Sequence, residues 1–161
     1  MVAFLMVDVI LYAPEIPQNT GSIARLCAAT GVGLHLAGPL GFTIDDKHLK
    51  RAGLDYWKEV CLGVHKSLDT ALAQFPDRPV YFLSKKGSTL YTELNCSPHD
   101  IFVFGAESDG LPTTVLEHNL DQTVRIPIRD RVRSLNLAAS VHIIVYHALA
   151  EMGFPGLPEG P

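Results

Sequence analysis

Arg129, Arg131 and Arg133 alternate within the segment RIPIRDRVRSLNLA, residues 125–138. In an extended loop all three side chains point the same way and form a basic comb. Arginine grips phosphate bidentately, so such a comb can neutralise a nucleic-acid backbone locally although the formal net charge of the chain is −4. Its alternative use is surface salt bridging with Asp130 and neighbouring acids. Lys47, Lys50 and Arg51, and separately Lys85 and Lys86, are weaker candidates for the same surface.

A second segment, PEIPQNTGSIAR over residues 14–25, is a proline-stiffened turn that delivers polar side chains to a helix N-terminus. The free backbone N–H groups there favour an anion such as a nucleic-acid phosphate. Gly21, Ser22 and Arg25 share one helix face, a surface that another chain or a ribose could approach closely. The plainer reading is an N-cap and a solvated arginine. A third segment, FGAESDGLP over residues 104–112, is bracketed by glycines. Glycine permits positive φ and close backbone approach to a ligand, and it also serves in ordinary turns. Each segment lies where a predicted strand ends, the edge at which open α/β sheets bind ligands.

Familiar signatures fail. The turn after the first predicted strand has no GxGxxG, which disfavours a nucleotide-binding oxidoreductase. There is no GxxxxGK[ST], and Ser108 sits one position too late for a GxSxG nucleophile elbow. Seven histidines without HExxH, and Cys27, Cys61 and Cys96 without CxxC, predict neither a metal nor a disulfide framework, and a reducing cytoplasm as compartment.

The elements that must position these residues alternate along the chain. Strands are predicted near 7–12, 34–37, 59–64, 80–83, 101–104 and 123–126. Helices are predicted near 20–30, 46–52, 68–75, after Pro112, and over 135–152. Asn19 and Ser134 are candidate N-caps, Gly31 a C′ residue, and Gly153 with Pro155 a stop signal. Ile23, Leu26, Cys27 and Thr30 form the stripe of the first helix. In the last helix Leu137, Val141, Ile144, Val145 and Ala148 face the sheet. Ile143 and Tyr146 add apolar surface elsewhere, which calls for a second partner: the same helix of another subunit, or an intramolecular neighbour.

The pattern is α/β, a mostly parallel sheet flanked by helices, in one domain over residues 1–161. At 47% hydrophobic and 19% charged, the composition excludes a disordered chain. The apolar run Val2 to Ala13 contains Asp8, lacks a basic leader, and is short of the ~20 residues that span a bilayer, so it reads as a buried strand and no membrane partner is expected.

In this order the segments PEIPQNTGSIARLCAATG, GPLGFTIDDKHLKRAGLDYW, FGAESDGLP and IPIRDRVRSLNLAASV resemble the SPOUT class of RNA methyltransferases, most closely its TrmL-type tRNA 2′-O-methyltransferases. The likeness runs from about Val9 to Gly156. It implies a C-terminal trefoil knot, which general chain topology would not suggest, and a homodimer whose site is completed at the subunit interface. It further implies S-adenosylmethionine held by Leu83, Gly105, Glu107, Ile126 and Ser134. The implied reaction is methyl transfer to a ribose 2′-hydroxyl, at the wobble nucleotide of a tRNA anticodon or at another tRNA or rRNA site. A non-catalytic RNA-binding module of the same fold is the alternative. By position, Arg25, Asn19, Ser134 and Asn136 carry the catalytic roles. Arg129, Arg131, Arg133 and Tyr146 face RNA, although Tyr146, at i+4 from His142, suits an interface or a packed core equally. With no appended RNA-binding domain in 161 residues, the core itself is expected to hold the anticodon. Asp109 departs from the basic or neutral residue common in close relatives and places negative charge near incoming RNA.

Overall fold

A computed structural model describes residues 6–45, 47, 51 and 56–160. Its strands are β1 (Asp8–Tyr12), β2 (Gly33–Ala37), β3 (Leu62–His65), β4 (Val80–Leu83), β5 (Thr89–Leu90), β6 (Ile101–Phe104) and β7 (Thr123–Arg125). They form one sheet in the order β3-β2-β1-β6-β4-β7-β5, with every pairing parallel. The described helices are α1 (Pro17–Thr30), α2 (Leu68–Leu72), α3 (Thr113–His118) and α4 (Leu137–Glu151).

A parallel sheet covered on both faces needs strands apolar on both sides, and the central pair β1 and β6 meets that need. Val9 and Leu11 join Phe102 and Phe104 in the core beneath α1 and α4. Ile10, Ile101 and Val103 point the other way, into a second core with Leu68, Ala71 and Leu111. The stripe Ile23, Leu26, Cys27 and Thr30 is buried, as are Leu137, Val141, Ile144, Val145 and Ala148. An intramolecular neighbour for α4 therefore exists, since α1 packs against it, yet Tyr146 stays 46% exposed.

Several local expectations are corrected. Helix α1 begins at Pro17, not Thr20, and its N-cap is Ile16. Proline loses nothing at a first helical position, where its missing N–H would be unpaired anyway. Asn19 is therefore inside the first turn and free for other bonds. The N-cap of α4 is Asn136, not Ser134; its side chain accepts from the Ala139 N–H at 3.1 Å. The strand expected from residue 59 starts at Leu62 because Trp57–Glu59 coil into a 3₁₀ turn. The two-residue β5 was not anticipated, being too short to show a period. The helix expected over 46–52 falls largely on residues outside the described set, Lys50 among them.

Gly31 ends α1 with φ +78° and its N–H bonded to the Cys27 carbonyl at 2.8 Å. After β6 the chain returns to place β7 between β4 and β5. That order is consistent with the C-terminal knot implied by the resemblance.

Candidate active site and cofactor cavity

The loops leaving β1, β4, β6 and β7 converge at the C-terminal edge of the sheet around a cavity of about 630 Å³. Leu83, Gly105, Glu107, Ile126 and Ser134 all line it, and so do Asn19 and Asn136. The loop after β6 is folded back on itself by Ala106 and Gly110, which exchange backbone hydrogen bonds of 3.2 and 2.9 Å. A Cβ on Gly105 would run into the Gly110 and Leu111 backbone, so this glycine serves the loop's own close approach. Gly110 takes φ +68°, the left-handed turn that suits glycine.

This loop and the loop after β1 clasp each other through two carboxylates. Glu107 accepts from the backbone N–H groups of Glu15 at 2.8 Å and Ile16 at 3.0 Å, and from the Asn19 amide at 3.3 Å. Glu15 in return accepts from the Ser108 N–H at 3.2 Å and hydroxyl at 2.6 Å. Each negative charge is thus met by its own donors, which lets two acidic side chains work side by side. The segment after β7 is stitched to the same assembly. Arg133 donates to the Ser108 carbonyl at 2.6 Å, Asn136 donates to Asn19 Oδ1 at 3.0 Å, and Lys85 donates to the Val132 carbonyl at 2.9 Å.

Asn19 and Asn136 are therefore bonded to each other at the cavity and Ser134 lines it, while Arg25 does not join them. Its side chain is exposed on α1, with the guanidinium 5.2 Å above the Tyr56 ring, and it does not line the cavity. Gly21 is buried, so the small-residue face beside Arg25 is narrower than its helical spacing suggests. The arginine comb is also broken. A turn bonded from the Val132 N–H to the Arg129 carbonyl at 3.0 Å replaces the extended loop, because local backbone pairing displaces extension. All three arginines are exposed, but Arg133 lines the cavity and bonds the Ser108 carbonyl, while Arg129 and Arg131 lie outside it. Tyr146 lies outside it too.

Sequence reasoning assigned no role to Glu15 or Ser108. Their signal is absent from spacing, since they stand 93 positions apart. Cys27, by contrast, has no chemistry here: burial, with the nearby Asp8 charge, pushes its thiol up to about 12.

The model of the SpoU rRNA Methylase family matches residues 6–146, a span that contains every residue lining the cavity. The chain belongs to this family. A Burkholderia ambifaria relative named tRNA (cytidine(34)-2'-O)-methyltransferase is 46% identical over 154 residues, 94% of this chain and 99% of its own. A solved Bacillus anthracis chain is 47% identical, with a TM-score of 0.89 over 96% of this chain and 99% of that one. Another, from a study of the 2-OH methylation of C/U34 on tRNA, is 43% identical with a TM-score of 0.88, covering 92% and 97%. The family's methylase fold thus extends over nearly the whole chain. No helix among the described residues is long and apolar enough to cross a membrane.

Proposed function

We propose that this chain is an S-adenosylmethionine-dependent methyltransferase of the ribose 2′-hydroxyl at wobble position 34 of a tRNA, cytidine or modified uridine. In this reading it acts in the cytoplasm as a homodimer and uses no metal in the reaction. The observation that carries the reading is the cavity at the C-terminal sheet edge, lined by the polar Asn19, Ser134 and Asn136 and by the apolar Leu83 and Ile126. Its volume falls within the roughly 300–1,000 Å³ of pockets that hold compact organic ligands. The names of relatives at 43–46% identity support the substrate.

The donor, when bound, supplies a sulfonium methyl group, whose transfer breaks an S–C bond and forms an O–C bond. Apolar walls at Leu83 and Ile126 suit a centre that loses its charge as this happens. The protein's remaining tasks are in-line placement and removal of the hydroxyl proton. Arg25 is exposed and outside its own cavity, and in this reading it acts on the site of a second copy, orienting ribose and phosphate. Arginine is a poor general base, so its role is to orient. The proton passes to a neighbouring group or water. Asn19 and Asn136, bonded to each other, hold the wall against which the nucleotide sits.

Calorimetry with S-adenosylmethionine, followed by methyl incorporation into undermodified tRNA and mass-spectrometric mapping, tests the reading. Donor binding with a methyl at ribose 34 is expected. Binding without incorporation would make the chain an RNA-binding module, and a methyl elsewhere would move the target. Wild-type turnover by Arg25→Ala would remove Arg25 from the reaction.

A further inference from the structure

At the opposite end of α4 from the cavity, three side chains of metal-binding type converge. Cys96 lies in the loop before β6, and His147 and Glu151 lie one turn apart on the same face of α4. One ligand atom from each lies within 4.8 Å of the other two, and among the described residues no other group of three or more His, Cys, Asp or Glu is so placed. A second observation points to the same spot. His147 Nε2 is buried without a hydrogen-bond partner, while Tyr91 stands edge-on to the imidazole at 5.0 Å. A buried unpaired ring nitrogen is a standing cost that a bound ion would relieve.

We propose that Cys96, His147 and Glu151 form a site for a zinc-class divalent cation, with one thiolate sulfur, one imidazole nitrogen, one carboxylate oxygen and a fourth position open to water. The donor set excludes magnesium and calcium, which take oxygen ligands, and matches the sulfur and nitrogen preference of zinc. Glu151 is exposed, while Cys96 and His147 are each half-buried. Cys96 would bind the ion as its thiolate. Its proton leaves to solvent when the ion binds.

None of the three residues lines the cavity. His147 stands ten residues along α4 from Leu137, roughly 15 Å at the helical rise. The ion would tie the end of α4 to the loop before β6, independent of methyl transfer. No local motif announces the site, because 51 positions separate Cys96 from His147.

Titration of the purified full-length protein with cobalt(II), then zinc(II), provides the test. One equivalent per chain is expected, with a near-ultraviolet thiolate-to-cobalt band that zinc abolishes and a melting temperature that rises with excess zinc. Cys96→Ser should lose the band and Cys61→Ser keep it. Glu151→Gln, at an exposed position that leaves folding intact, should weaken binding by more than roughly tenfold, the least that loss of even an outer partner costs. Absence of the band, its persistence in Cys96→Ser, its loss in Cys61→Ser, or unchanged affinity in Glu151→Gln would each overturn the proposal.

Discussion

Asn136 donates its amide to Asn19 Oδ1 at 3.0 Å, joining the N-cap of α4 to the first turn of α1 across 117 positions. Both ends of the Asn19 amide are then in use, since its NH₂ donates to Glu107. Asn136 is likewise doubly employed, its oxygen capping the Ala139 N–H. Replacing it separates the two jobs. Asn136→Asp keeps the capping oxygen but sets an acceptor against Asn19 Oδ1, so the cap should survive while the link to Asn19 and methyl transfer are lost. Asn136→Ala loses both and should also cost about 1 kcal/mol in a melting experiment.

Glu107→Gln tests the clasp between the loops after β1 and β6. The carboxylate accepts from three donors, and an amide would turn its NH₂ toward backbone N–H groups. A loss of about 1–3 kcal/mol is expected. Weaker S-adenosylmethionine binding by calorimetry should accompany it, because the same loop lines the cavity.

Gly105→Ala places a Cβ against the Gly110 and Leu111 backbone, which cannot yield as a flexible side chain would. Overpacking of this kind costs about 1–3 kcal/mol. The expected result is loss of donor affinity in a protein whose circular dichroism spectrum is preserved.

The arginines of the former comb should divide. Arg133→Ala removes the bond to the Ser108 carbonyl and should weaken donor and tRNA together. Arg129→Ala and Arg131→Ala should weaken tRNA alone, each lowering the slope of log affinity against log salt by about 1. Binding titrations at several salt concentrations distinguish the two patterns.

Acid sensitivity should arise at the other edge of the sheet. Burial by itself raises the Asp8 carboxyl, but hydrogen bonds from His35 and Arg78 and the Arg78 charge outweigh it and hold the group below the usual range. The unfolded chain then binds the more protons as pH falls. This stabilisation is complete above the ordinary carboxylate value of ~3.9 and is lost as pH drops through the folded value. Melting curves carried from pH 7 down to about 2 should show that loss. Asp8→Asn should be about 2 kcal/mol less stable at neutral pH, with a shallower acid dependence.

Elements governed by near neighbours were legible in the chain itself. The apolar runs of β1 and β6, the buried stripes of α1 and α4, and the αL turn at Gly31 follow from strand and helix periods and from glycine sterics, all local. The positions 83, 105, 107, 126 and 134 also line the cavity. Tertiary structure alone decided what met what. Strand order sets β6 beside β1 and β7 between β4 and β5, and only that order brings Glu15 to Ser108 and Asn19 to Asn136. It also leaves Arg25 outside the cavity, and a turn from Arg129 to Val132 scatters a comb that alternation had aligned. Periodicity reports which face a residue shares with its neighbours in sequence. Which distant loop arrives at that face depends on chain crossings that no local pattern encodes.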